Sequence, residues 1–257
     1  MSLPGSKEFM TDKIQIADLG DLIKAAALAN KHFGEGHCWW RGEGIIDDAW
    51  KLKPKVYRKE HNEASLAFHF MNRAKVRYEK CPTGSDEWPS WLFLMQHYGL
   101  PTRLLDWSES PLIALYFAVK ETACQEKNGR IWCLQPYKLN LLHDVNGIAL
   151  PQMEEAHFLC QEAFVKAHNP DARILSVIGD HFDVRHLVQS AAFTIHGTTI
   201  ALNEHPQRNQ FLLEFEVLGG MKNNLLDALK IVGIRDSYLF PDLDHLAHDL
   251  GSLADIA

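Results

Sequence analysis

The sequence predicts an α+β fold: a single domain in which a small mixed or antiparallel sheet, or more than one, is flanked by several longer helices. Three observations carry this. Short strand-like stretches are scattered among longer helical ones, without the regular alternation of a parallel βαβ sheet. The chain is 46% apolar and 23% charged, ordinary values for a globular protein. Its 257 residues approach the upper limit for one hydrophobic core, and no repeat or low-complexity linker divides them.

The elements follow in chain order. Residues 1–12 carry no apolar run and read as a tag or flexible tail, ahead of a domain spanning 13–257. Residues 17–33 read as a helix, with Leu19, Leu22, Ala26 and Ala29 on one stripe and Gly34 as its stop. Residues 37–42 (HCWWRG) read as a short aromatic strand. A helix is expected over 61–80, burying Leu66, Phe70 and Ala74, and a second over 89–98, ended by Gly99 and Pro101. Leu104 and Leu105 form a short buried stretch. Ser110 is a good N-cap and Pro111 fits the first helical position, where its missing N–H costs nothing. Leu112, Leu115, Tyr116 and Val119 then repeat at helical spacing, so 111–124 reads as a helix. A strand is expected at 130–135, then a weakly patterned region, 136–182, that reads as an insertion with a helix at 154–168. Strands at 191–196 and 211–217, and helices at 220–232 and from about 242, close the chain.

Charge and cysteine usage narrow the function classes. A net charge of −7 opposes a non-specific grip on nucleic-acid phosphates. The one dense basic run, Lys51, Lys53, Lys55, Arg58 and Lys59, reads as a solvated face. Five widely spaced cysteines without a CxxC pair point to reduced thiols and a cytoplasmic location. No apolar run reaches the roughly 18 residues of a membrane span.

Several polar residues stand where chemistry can be carried. Arg41 lies between Trp40 and Gly42, and its planar fork of donors suits phosphate or carboxylate. Gly42 permits close approach of backbone or ligand. His97, Tyr98, Thr102, Arg103, Asp106, Trp107 and Ser108 concentrate polar groups just ahead of a helix N-terminus, which favours anions. The plainer alternative pairs Arg103 with Asp106 and uses Ser108 and Ser110 as caps. His97 reads more simply as a satisfied buried group. His181 and His186, five apart around Asp183, are a weak metal spacing, and no metal site is expected. Phosphate-loop, dinucleotide-fingerprint and nucleophile-elbow motifs are absent.

WWRG at 39–42, WLFLMQHYGLPTRLLDWSESPLIALYFAV at 91–119 and RHLVQSAAFTI at 185–195 together resemble the FRG domain, a family widespread in bacteria and their phages. Trp40 stands where that family usually has Phe or Tyr. A more distant resemblance is to ADP-ribosyltransferases of the arginine–serine–glutamate class. Trp40-Arg41-Gly42 is similar to their opening strand, and Ser108 or Ser110, followed by Ala114 and Phe117, to their serine-bearing strand and helix. The resemblance implies an ADP-ribosyltransferase-like fold and NAD as a substrate, with no tightly bound cofactor. It gives catalytic places to Arg41, Ser108 and Gln189, and ligand contacts to Arg41, Gly42, Tyr98, Thr102, Arg103 and Asp106. Gln189 stands where that class has its glutamate, so the reaction would be slower or would borrow an acid such as Asp106, Glu109 or Glu214, or the domain would bind a nucleotide without turning it over. The implied setting is a toxin or defence enzyme. The alternative is a non-catalytic adaptor with a protein partner, in which Arg41 pairs with Asp106 as a hub.

Overall fold

A computed structural model describes residues 14–34, 36–84, 86–121, 123, 125–165, 171–179 and 184–254. The stretch expected to be a tag or flexible tail lies outside the described residues, as do His181 and Asp183. Seven described strands form one sheet: β1 (Gln15–Ile16), β2 (Trp39–Glu43), β3 (Leu104–Ser108), β4 (Gly129–Leu134), β5 (Ile174–Val177), β6 (Ala191–His196) and β7 (Leu212–Val217), in the order β1-β7-β4-β2-β3-β6-β5. Every neighbouring pair is antiparallel except β1 with β7, so the sheet is mixed. The α+β expectation holds.

The ten described helices are α1 (Leu19–Phe33), α2 (Glu63–Ala74), α3 (Trp88–His97), α4 (Pro111–Val119), α5 (Pro136–Leu141), α6 (Glu154–Glu162), α7 (Val184–Val188), α8 (Lys222–Ile231), α9 (Asp236–Leu239) and α10 (Leu243–Ala254). Three expected helices are shorter, and α6 ends at Glu162. Helix α2 ends at Ala74 because the N–H groups of Arg77 and Tyr78 both donate to the Ala74 carbonyl and close the last turn. Helix α4 ends at Val119, its last buried apolar residue; Lys120 donates to Tyr116 as its cap.

Strand alternation divides the core between the two sheet faces. On one face, Trp40, Ile131, Cys133, Phe215 and Val217 pack with α1, α4 and α8. The same face carries a second cluster toward β5, where Leu104, Phe193 and Ile195 meet Leu92, Met95 and Leu159 of α3 and α6. The opposite face holds Trp39, Leu105, Trp107, Trp132 and Leu134, covered by Leu52, Leu202 and Phe211.

Region 136–182 supplies α5, α6 and the edge strand β5. The Asn140 amide donates to the carbonyls of Gly147 and Ser176 and accepts from the Ser176 N–H, tying α5 to β5. No helix among the described residues is long and apolar enough to cross a membrane.

Candidate functional site

The centre of the sheet is split. Strands β2 and β3 pair only at Trp40 with Ser108 and then diverge. Antiparallel geometry would set Arg41 to Glu43 against the Leu105–Trp107 stretch, but the ladder does not continue there. The Asp106 carbonyl on that side therefore lacks a backbone donor from β2, and a polar backbone group left unmatched is costly. Arg41 fills the gap: its Nη1 donates to the Asp106 carbonyl at 2.8 Å. Its Nε is shielded from solvent and has no hydrogen-bond partner.

A cleft of about 1220 Å³ opens at this split. Its walls come from β2 (Trp40 to Gly44), β3 (Asp106 to Ser108), the 49–58 segment, the end of α3, the inner face of α4, and α7. Arg41, Gly42, Tyr98, Asp106, Ser108 and Gln189 all line it. The expected site residues from both ends of the chain therefore converge, with three qualifications.

Arg103 is the first. Its side chain does not face the cleft and does not pair with Asp106. Its Nε and Nη2 donate to Glu63 at 3.0 and 2.8 Å, and its Nη1 reaches Glu162 at 3.2 Å and the Leu159 carbonyl at 3.1 Å. With 8% of its surface exposed, it is an internal cation that clamps α2 and α6 to the start of β3. Arginine's fixed fork suits such a three-way lock. Thr102 is the second: fully buried, it donates its hydroxyl to Gln96 and accepts from the Leu104 N–H. Gln96 in turn donates to the Asp106 carboxylate at 2.7 Å, so Thr102 acts behind the cleft wall, through Gln96. Gly42 is the third. A Cβ there would lie 1.9 Å from the Ala114 carbonyl oxygen and 2.7 Å from the Ala118 nitrogen. The glycine admits the backbone of α4, which crosses β2 at this point.

Ser108 and Gln189 line the cleft while bracing it. The Ser108 hydroxyl donates to the Gln189 carbonyl at 2.8 Å and accepts from the Ser110 N–H at 3.1 Å. The Gln189 amide donates to the Leu239 carbonyl at 2.9 Å. Ser110 makes no side-chain cap. Of the carboxylates named as substitutes for the missing glutamate, Asp106 lines the cleft; Glu109 and Glu214 do not. Tyr98 is exposed on the rim, beside Tyr78, Phe70 and His97.

Other residues of the site went unrecognised in the sequence. Lys51, Lys53, Lys55 and Arg58, read as a solvated run, fold across the cleft mouth. The signal was present: they interleave with Leu52, Pro54 and Val56, which are buried. Trp50, Lys120 and Arg185 also line the cleft. Seven Lys and Arg side chains thus face one cavity with three carboxylates, Glu43, Asp106 and Glu121. Among the described residues, only Lys51 of the seven has a carboxylate within ion-pair distance, Glu204 at 3.1 Å. The Arg58 guanidinium, exposed at its edge, has its pKa lowered first by partial burial and then by the neighbouring Arg41 charge. Like charges held together in a cavity are stabilised by an anion.

No group of three or more His, Cys, Asp or Glu among the described residues is placed to hold a metal. No curated protein and no solved structure matches the chain. Residues 36–127 match the FRG domain model, a span from just before β2 to just before β4 that takes in Arg41, Gly42, the basic segment and α4. The stretch similar to the FRG domain builds most of the basic cleft.

Proposed function

We propose that the cleft binds a nucleotide carrying a diphosphate, NAD or a close relative, and breaks its ribosyl–nicotinamide bond. One observation carries the reading: six cations without carboxylate partners among the described residues converge on a single cavity, in a protein whose net charge is −7. Such a local field selects an anionic ligand while the acidic exterior repels long polyanions. The Arg41 charge stands beside that of Arg58 in the cleft lining, a pairing suited to a diphosphate. Exposed Tyr98 and Trp50 provide faces for a base or nicotinamide ring.

Asp106 is the carboxylate placed for chemistry, held by Gln96 and exposed to the cavity. In the reaction, the bond from ribose to nicotinamide breaks and its electron pair leaves with nicotinamide. Water or a nucleophile of a target then adds to the ribose carbon and loses a proton. Asp106 steadies the positive charge that develops there, a contribution of about 2.7–4 kcal/mol for one well-placed group. On this reading the protein is a cytoplasmic toxin or defence enzyme of bacterial or phage origin.

A second reading rests on how Ser108 and Gln189 are engaged: both are committed to holding the cleft together. They would then brace a non-catalytic module that binds a nucleotide or a protein partner, with Arg41 as the tie between β2 and β3. Chromatography of NAD incubated with the protein separates the two. The enzymatic reading expects released nicotinamide, slowed roughly 100- to 1000-fold in Asp106→Asn with binding retained. Binding without release removes the enzyme and leaves the module.

A further inference from the structure

The cleft's cations fall into two groups held in different ways. Arg41 and Arg58 stand at the β2–β3 split, close enough to perturb one another, with Lys53 and Lys55 beside them in the basic segment. Lys120, at the end of α4, and Arg185, on α7, are set apart by a shared partner, the Phe240 ring. The Lys120 ammonium lies 5.2 Å from the Phe117 ring centre and 5.1 Å from that of Phe240, and the Arg185 guanidinium lies 4.7 Å from the same Phe240 ring. Aromatic faces hold a cation without neutralising it, whereas a carboxylate would cancel its charge. Neither Lys120 nor Arg185 has a carboxylate within ion-pair distance among the described residues. Among the described residues, the partners of the pair are therefore rings that leave its charge uncancelled, and both side chains line the cavity. Phe240 is itself fixed: its N–H bonds to the Asp236 carbonyl, and Asp236 accepts from the buried Tyr116 hydroxyl of α4.

We propose that Lys120 and Arg185 form a second anion seat, and that the cleft's ligand is a small nucleotide with phosphates at two separated positions rather than only a contiguous diphosphate. This rests on the nucleotide reading above and specifies its ligand. Phosphate in the first group and a further phosphate on the ribose, reaching Lys120 and Arg185, satisfy both groups at once. A longer strand is disfavoured, because the chain as a whole carries a net charge of −7 and repels a long polyanion.

Three isomers with equal phosphate count provide the test: adenosine 5′-diphosphate, adenosine 2′,5′-bisphosphate and adenosine 3′,5′-bisphosphate. Calorimetry on the full chain is expected to show one bisphosphate binding about 10- to 100-fold tighter than the diphosphate, the worth of one charged hydrogen-bonded seat. In Lys120→Gln/Arg185→Gln the ratio of bisphosphate to diphosphate affinity falls to about one, beyond any common loss from two fewer cations in the cleft. Each single variant is measured as well, with its melting temperature as the control for folding. Equal binding of the isomers by the wild type, or a preference that survives the double variant, overturns the second seat. If the diphosphate still binds in that case, the nucleotide reading stands alone; if no isomer binds, both fall. Tighter binding of a single-stranded pentanucleotide than of either bisphosphate also overturns the proposal, in favour of a nucleic-acid ligand.

Discussion

Replacing Gly42 by alanine tests whether the aromatic-Arg-Gly strand owes its glycine to packing. The added methyl would stand 1.9 Å from the Ala114 carbonyl oxygen, 2.7 Å from the Ala118 nitrogen and 2.9 Å from the Ala114 carbonyl carbon. All three are backbone atoms of α4, so no side chain can rotate aside. An ordinary carbon–oxygen contact needs about 3.4 Å or more, so strand and helix must separate by roughly 1.5 Å. Helix α4 is packed into the core through Ile113, Ala114, Leu115, Tyr116, Ala118 and Val119, so the separation opens the largest apolar cluster. Overpacking a core costs about 1–3 kcal/mol when side chains can adjust; a rigid backbone contact belongs at or above the top of that range. For a domain this size, a loss of about 3 kcal/mol lowers the melting temperature by about 6–12 °C. Gly44→Ala is the matched control, since a Cβ there meets nothing closer than 3.9 Å, and its cost should stay below about 0.5 kcal/mol. Thermal unfolding followed by circular dichroism measures both. A Gly42→Ala melting curve within about 2 °C of the wild type would refute the packing argument.

The remaining predictions concern the interior and the cleft wall. Arg103→Met leaves Glu63 and Glu162 buried without their cation and should cost about 3–5 kcal/mol, seen as a large fall in chemical-denaturation midpoint. His196 is fully buried, and burial followed by the Arg103 charge depresses its pKa from 6.5 to about 3. The unfolded chain takes up that proton and the folded chain does not. Stability is therefore complete above about pH 6.5 and falls as pH drops toward 3, by about 2 kcal/mol at pH 5. His143 and His205 are shifted the same way, mainly by burial, so His196→Gln should reduce the slope without abolishing it. Ser108→Ala strands the Ser110 N–H and the Gln189 carbonyl and should cost about 1–3 kcal/mol in a denaturant titration.

How far the sequence could be read depended on local signals. Residues 191–196, with aromatic Phe193 and β-branched Thr194 and Ile195 at their centre, fold as β6 with those bounds. Ser110-Pro111 marked the start of α4 because Pro fits only the first helical turn. Strand β5 was missed because all four of its residues are buried, so Ile174, Leu175, Ser176 and Val177 show no alternation. Helices α5 and α9, with six and four residues, are too short for periodicity to register. In the site, Arg41 and Asp106 were legible from residue type and setting. The direction of Arg103 was not, because its partners Glu63 and Glu162 lie 40 and 59 positions away. The basic segment is solvated at Lys55, Arg58 and Lys59, as expected, but its place in the cleft lining was not legible: the buried Leu52, Pro54 and Val56 between the charges anchor it there. Lys120 and Arg185 meet only through Phe240, near the far end of the chain.

The central claim is that converging unpaired cations make the β2–β3 split a nucleotide site. Calorimetric titration of NAD and ADP-ribose into the wild type and Arg58→Gln, at low and high salt, addresses it directly. Arg58 lies at the exposed mouth of the cleft, so its loss should leave the melting temperature within about 2 °C. The account predicts wild-type binding that weakens with salt and falls about tenfold or more in the variant. Absence of binding by the wild type, or identical affinities for the two proteins, would contradict it.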